Sequence, residues 1–464
     1  MFRPYMFDQA LQREGNPLPQ PLEQDLGTDI CIVGGGYTGL WTAIELKQRH
    51  PEIQIVLIDK DLCGYGASGS NGGCLLTLST KLPTMRRFFG ESEALRLVKA
   101  SEQAVYDIQA FCREHEIDAD LRLDGALYMA SNRAQIGTME PVIEALQREG
   151  INSWDRLSLD EARRFGGTQD MHEGFFSPIA GSVQPGLLVR GMARVARKLG
   201  VQIFEGTPMI KLEESSPARV KTPRGSVTAG KVVLAMNAWM ARQFPQFART
   251  IAVVSSDILV TEPCADRLDK IGLTHGATVC DSRTFVHYYH RTSDGRLMFG
   301  KGGNTFAYGA RMLPSFFEAS RYEQQLRDAI QRFFPGLTDI PVAASWNGGS
   351  DRSVSGFPFF GRLNSQPYIV YGFGYSGNGV AQSYLGGKIL ASLVLGVDDP
   401  WSRAGFVGGP RGYFPPEPVR WLGSIAVRNA IRRKEKAEDE GRKPAWLDCQ
   451  LAQFARAAVK TDKQ

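Results

Sequence analysis

At 464 residues, with 43% hydrophobic and 22% charged side chains, the chain is too long for one ordinary core and has the composition of a globular protein with two units. A formal charge of +5 falls short of the basic signal that nucleic-acid binding needs, which excludes nucleic acid as a partner. No apolar run reaches the roughly 18 residues of a membrane span. Residues 1–27 carry charges and four prolines where a signal peptide needs an apolar core. The seven cysteines are odd in number, scattered and without a C-x-x-C pair, which reads as reduced thiols and a cytoplasmic location.

In chain order, 1–28 reads as an extended N-terminal arm. An apolar strand at 29–33 then runs into Gly34, Gly35, Gly36, Tyr37, Thr38 and Gly39. Gly34, Gly36 and Gly39 keep the G-x-G-x-x-G spacing: the first for a tight turn, the second for backbone approach to a pyrophosphate, the third for close helix packing. Tyr37 and Thr38 open the helix, whose free N–H groups and partial positive charge suit the same anion. A second apolar run, 53–58, ends at Asp59, 20 residues past Gly39, where a ribose-binding carboxylate is expected. Strand, glycines, helix and acid in register predict a dinucleotide site.

The stretch 63–73 is too rich in glycine for a strand or helix and can lay main chain against a flat ligand. Residues 86–116 have helical spacing through Leu95, Val98, Val105, Ile108 and Phe111. A strand is expected at 121–130, a helix capped by Ser158 at 159, a helix at 185–199 and a strand at 201–204. A strand pair spans 219–228 about a turn at 223–225, and 231–238 is a buried strand running into a turn, with Asn237 expected at the cofactor. The dinucleotide unit is therefore interrupted and resumed.

Residues 251–299 are strand-rich. His287 and Tyr289 share one face of a strand, read as the wall of a ligand site; an aromatic core strand is the alternative. A helix is expected at 316–333, glycine-rich segments at 346–361 and 372–380, and a helix at 381–395. Asp351 orients an amine or caps a turn, and Arg352 and Lys301 are cations for an acidic tail. The remaining histidines are dispersed and make no metal site. After Pro400 a basic amphipathic helix at 420–436 places Trp421, Leu422, Ile425 and Ala426 toward one side. That stripe packs on the body and leaves its charges in water; contact with an anionic membrane is the less favoured reading.

The combination of 34–40, Gly66-Ala67-Ser68-Gly69-Ser70-Asn71-Gly72-Gly73 and Tyr375-Ser376-Gly377-Asn378-Gly379-Val380 resembles the FAD-dependent D-amino-acid oxidase, glycine oxidase and sarcosine oxidase superfamily. Trp346-Asn347-Gly348-Gly349-Ser350-Asp351 followed by Pro358-Phe359-Phe360-Gly361-Arg362 most resembles its gamma-glutamylputrescine oxidase branch. The resemblance covers about 25–395. It implies an α/β (α+β) fold: a glutathione-reductase-type, Rossmann-like FAD-binding domain built from several segments, and a mixed-sheet substrate domain. The expected FAD domain takes 29–85, 145–250 and 345–398, the substrate domain 86–144 and 251–344, and 399–464 forms a basic helical extension.

By resemblance, Gly34, Gly36 and Gly39 meet the pyrophosphate and Asp59, with Lys60 beside it, holds the ribose. Gly66, Ala67, Ser68, Asn71, Gly72 and Gly73 line the ribityl chain and rings. Met209 contacts adenine, and Gly374, Gly377, Asn378, Gly379 and Val380 sit under the pyrimidine end, where a helix N-terminus stabilises reduced flavin. Asn378 stands where relatives often have His, Ser70 where many have Arg, and Ser350 where glycine oxidases place a carboxylate-binding Arg. Met298 takes the place of a Lys that helps oxygen react in sarcosine oxidases, so oxygen and another electron acceptor both stay open. No cysteine matches the covalent-attachment motif, so FAD is expected to be non-covalent.

The implied reaction oxidises a C–H bond next to an amine nitrogen: a hydride leaves to flavin N5 and the imine is hydrolysed. The substrate is a small amine with an acidic tail, a gamma-glutamyl amine first and an aminophosphonate second. A D-amino-acid-type dehydrogenase of the same superfamily is an alternative, and a non-catalytic flavoprotein subunit is the reading from another class.

Overall fold

The last four residues of Leu26–Val33, the whole of Ile55–Ile58 and the far end of Gly225–Leu234 are apolar and buried on both faces, the mark of parallel strands covered by helices. In the computed structural model, which describes residues 2–458 and 462, they form the centre of an eight-stranded sheet. Its order runs Phe359–Arg362, Ile369–Phe373, Gly225–Leu234, Leu26–Val33, Ile55–Ile58 and Gln202–Phe204, with Lys211–Glu213 and Ala218–Thr222 branching antiparallel from Gly225–Leu234. Helices Tyr37–Arg49, Pro185–Lys198 and Gln382–Leu395 bury their apolar residues against it.

The second sheet is also eight-stranded and mixed. Its order is Val342–Ser353, Ile251–Thr261, Leu297–Phe306, His287–Arg291, Thr278–Asp281, Ala126–Ala130, Glu173–Ser177 and Asp155–Arg156. Only Thr278–Asp281 and Ala126–Ala130 run parallel. Opposite a core of Leu127, Tyr289, Phe299 and Phe333, this sheet turns its other face toward the first unit.

Local signals hold where the cause is local. Ser158 and Glu161 form a reciprocal capping box at the start of Leu159–Gly166. The expected helix at 185–199 is Pro185–Lys198. Other expectations are corrected. The arm is not extended throughout: Met6, Phe7, Ala10 and Leu11 form one buried helical face on Tyr5–Arg13. The helix at 86–116 is two helices, Leu82–Phe89 and Glu91–Glu114, parted at Gly90 with φ 81°. The strand pair at 219–228 and the strand at 231–238 share one ten-residue strand, Gly225–Leu234. The helix at 316–333 begins only at Glu323. Sheet membership also differs: Asp155–Arg156, Glu173–Ser177 and, from residue 345 on, Val342–Ser353 were grouped by sequence with the cofactor unit, yet all pair in the second sheet. A strand's apolar pattern fixes which face it buries, not which sheet it joins.

The extension carries helices Val419–Asp439 and Trp446–Ala452; 459–461 and 463–464 of the expected 399–464 unit lie outside the described residues. The long helix packs on the body, but only part of the expected stripe does so: Trp421 donates to the Phe306 carbonyl at 3.1 Å. Leu422 is exposed, and the buried positions include Arg420 and Glu435 beside Ala430 and Ile431. Its inward charges are paired: Arg428 donates to the Asn304 carbonyl and Arg432 to Asn304 Oδ1.

Candidate active site

Two cavities meet at Tyr37, Thr38, Ala67, Ser68 and Asn237. The first is lined by Gly34, Gly36, Gly64 and Gly66, with Asp59 and Lys60 at the end of Ile55–Ile58 and with Met209 and Trp239. Helix Tyr37–Arg49 points its N-terminus here, with no acidic side chain in its first turn to oppose an anion. Gly34 has φ 112°, and a Cβ there would lie 2.4 Å from the Ala235 carbonyl oxygen. Gly39 is needed from behind: its Cβ would lie 1.9 Å from the Gly34 carbonyl oxygen. Asp59 accepts from the Gly35 N–H at 2.7 Å and the Asp61 N–H at 2.9 Å, while burial pushes its carboxyl up to about 6. Lys60 stands over the Trp239 ring, 4.9 Å from its centroid.

The second cavity lies between the 66–74 segment, which carries the helical turn Ala67–Ser70, and one face of the second sheet. Register builds that face: Ser256 pairs with Gly302 on one side and Gly348 on the other, and alternation adds Ser350 and Arg352. One strand further, Tyr288 pairs with Gly300, where a Cβ would lie 2.3 Å from the tyrosine ring. Gly300 therefore makes room for Tyr288, whose hydroxyl lies 2.8 Å from Ser256 Oγ. Burial raises the Tyr288 phenol, so it stays protonated. The Arg352 guanidinium lies by Gly302 and Gly377 and donates to the Ser376 carbonyl at 2.5 Å. Ser376 holds φ 57°, a conformation costly for a side-chain-bearing residue. Its Oγ accepts from the Ser353 N–H, and its own N–H donates to the Asp351 carbonyl. The Asp351 carboxylate accepts from the Gly374 N–H, and burial pushes its carboxyl up to about 6. Among the described residues lining this cavity, Asp351 and Arg352 alone carry charge. The Ser350 hydroxyl is buried there with no hydrogen-bond partner in the protein.

A family model described as FAD dependent oxidoreductase, DAO, matches residues 29–393. The chain belongs to this family. It is 29% identical over 377 residues to the gamma-glutamylputrescine oxidoreductase of Escherichia coli K12, covering 81% of this chain and 85% of that one. It is 24% identical over 383 residues to the glycine oxidase of Geobacillus kaustophilus, covering 79% and 92%. The crystal structure of glycine oxidase from Geobacillus kaustophilus superposes with a TM-score of 0.67 at 21% identity, over 82% of this chain and 98% of that one. The protein is an FAD-dependent oxidoreductase.

The two joined cavities fit FAD: a glycine-walled part beside a helix N-terminus, a carboxylate at the strand end, and a loop of small residues leading into the second part. Of the residues expected to meet the cofactor, Gly34, Gly36, Tyr37, Thr38, Asp59, Lys60, Gly66, Ala67, Ser68, Asn71, Gly72, Met209, Asn237, Gly377, Gly379 and Val380 line one cavity or both. Gly39, Gly73, Gly374 and Asn378 do not. Gly73, at φ 68°, would place a Cβ 2.0 Å from the Val183 carbonyl oxygen, so it serves packing. Asn378 turns toward the Thr77 carbonyl.

In the substrate sheet, Asp351 and Arg352 stand in the cavity, while His287, Tyr289 and Lys301 do not. His287 and Tyr289 do share a face, but it is the other one. Tyr289 is fully buried against Phe299 and Phe334 and donates to the Gly166 carbonyl at 2.7 Å. Burial lowers the His287 imidazole toward its neutral form, whose Nδ1 lies 2.8 Å from Asp281 Oδ2. Lys301 alternates with Gly300 and Gly302, so it points away from the cavity and donates to the Phe285 carbonyl at 2.9 Å. Tyr288 and His290 take the face expected for their neighbours; His290 Nε2 lies 3.0 Å from the Gly72 carbonyl. The signal lay in the partner strand: glycines at 300 and 302 mark the face where another group approaches.

Proposed function

We propose that the protein oxidises the C–N bond of an amine carrying an acidic group, a gamma-glutamyl amine first and an aminoalkylphosphonate second. The observation that carries the reading is Arg352, among the described residues the single cationic side chain lining a cavity whose other walls are neutral apart from Asp351. A guanidinium there binds carboxylate or phosphonate oxygens through paired N–H donors. The similarity to a gamma-glutamylputrescine oxidoreductase supports the same class. Bound FAD supplies the two-electron acceptor.

The cavity's low polarity disfavours an ammonium, so the substrate nitrogen enters neutral with its lone pair available. Tyr288 and Ser256 present hydroxyls that orient it, and Ser350 offers a further partner. Asp351 holds the Gly374 turn and, with Ser376, keeps the 374–377 backbone against the cavity. Catalysis rests on holding the C–H bond in place and excluding water, so no separate general base is required. FAD is held non-covalently by the glycine-walled cavity and by Asp59, in a domain that takes in the first sheet, and the protein works in the cytoplasm. Among the described residues no helix is long and apolar enough to cross a membrane.

Product analysis tests this. Purified protein is incubated with gamma-glutamylputrescine, an aminoalkylphosphonate, glycine and 2-hydroxyglutarate, and aldehydes are trapped as hydrazones. An aldehyde from gamma-glutamylputrescine or the aminoalkylphosphonate, with peroxide or a reduced dye, supports the reading. Turnover of glycine or 2-hydroxyglutarate alone overturns it, and oxidised FAD with every compound identifies a binding protein.

A further inference from the structure

The cavity wall between the strands Thr278–Asp281 and His287–Arg291 is a short crossing, 282–286, of which Thr284, Phe285 and Val286 line the cavity. It is held from outside. Asp281, with no exposed surface, accepts from the Arg283 and His287 N–H groups and from Arg283 Nε at 3.0 Å. Although burial opposes its charge, His287 and Arg283 hold the Asp281 carboxyl well below the ordinary range, so this anchor is ionised. Lys301 fixes the Phe285 carbonyl. The remaining partners come from the C-terminal helix. Asp439 Oδ1 accepts from Arg283 at 2.5 Å, Glu435 lies 3.8 Å from the same guanidinium, and Glu435 Oε1 accepts from the Thr284 N–H at 3.2 Å. Asp439 is itself fixed by Asn132 and Arg332 at 2.8 Å each. Glu435 and Asp439 are four residues apart on one helical face, beyond the residues 29–393 that the family model matches.

We propose that the C-terminal helix is a positioning element of the active site: through Glu435, Asp439 and Arg283 it sets where Thr284, Phe285 and Val286 stand against the substrate. None of these three charged residues is among those lining the cavity. The helix therefore tunes substrate fit without taking part in the chemistry, and its effect on amine turnover rests on the function proposed above.

The test uses the full chain with FAD bound. In Glu435→Met/Asp439→Asn, amide hydrogen exchange across 283–286 rises by about tenfold. KM for the amine that turns over rises about tenfold while kcat stays within about twofold, because the chemistry is untouched but the wall is loose. FAD content and melting temperature stay close to those of the parent. Glu438→Gln, on the same helix but paired with Lys434, behaves as the parent. Asp439→Asn alone gives a smaller shift in the same direction and serves if the double variant does not fold. Unchanged exchange at 283–286 overturns the proposal. So does a parallel loss of kcat, FAD and melting temperature, which would make the helix a general brace. Exchange needs no substrate, so failure of the amine reading leaves this result decisive.

Discussion

The cavity beside Asp59 and the cavity beside Tyr288 meet at Tyr37 and Ala67, yet they are made of different material. The first is shaped by Gly34, Gly36, Gly64 and Gly66, where an added Cβ would meet the Ala235 carbonyl oxygen or the side chains of Ser68, Val189 and Trp239. The second is side chains standing at every second residue of antiparallel strands. A pocket shaped by glycines at such close approach tolerates little added bulk. A side-chain-walled pocket can be altered one group at a time on an unchanged scaffold. Damage to the first should therefore appear as lost cofactor, and damage to the second as altered turnover with the cofactor retained.

The largest effect that would break this contrast is expected at Gly39. Gly39→Ala puts a methyl group 1.9 Å from the Gly34 carbonyl oxygen, at a cost of about 3 kcal/mol. Purified protein should carry little FAD by absorbance and melt earlier; normal FAD content would contradict the packing account. Next comes Arg352→Met, which should raise KM for an acidic amine about 100-fold with FAD retained, since a charged hydrogen-bonded partner is lost. Arg352→Lys should recover part of that loss, and steady-state kinetics with a neutral amine should show little change.

Asp351 sharpens the comparison through pH. Burial holds its carboxyl at about 6, against an ordinary value near 4. The folded state therefore binds this proton more tightly than the unfolded chain. The stability it contributes is full below about 4 and is lost as pH rises through 6. Asp351→Asn removes that dependence. The variant should gain about 2 kcal/mol relative to the parent between pH 4 and pH 6.5, read by denaturant melts; a constant difference would contradict the assignment. The smallest effect is expected at Tyr288. Tyr288→Phe removes one hydroxyl and should lower kcat/KM about tenfold without moving FAD content.

The same contrast decides how much was legible before the fold was known. Gly34, Gly36, Gly39 and Asp59 are fixed by contacts within one strand–helix–strand unit, so their spacing carries their placement. Ser158 and Glu161 likewise announce a helix start. The substrate wall has no such unit. His287 and Tyr289 were readable as sharing a face, but which face meets the cavity depends on Gly300 and Gly302 in one neighbour and Phe299 and Phe333 behind it. Lys301 shares that fate: one step in register separates it from the cavity. The inward charges of the C-terminal helix were read as solvated, because their partners Asn304, Arg283 and Thr284 lie more than 100 residues away in the chain.

In the function proposed above, this flavoprotein takes electrons from an amine whose acidic group is held by Arg352. Anaerobic titration of the parent and Arg352→Met with gamma-glutamylputrescine, followed at the flavin absorbance, tests it most directly. The account predicts that the parent bleaches at low concentrations and recovers its colour when an acceptor, oxygen or a dye, is admitted. Arg352→Met, with equal FAD content, should need about 100-fold more amine for the same bleaching. Equal bleaching of both proteins, or bleaching by 2-hydroxyglutarate and by no amine, would contradict it.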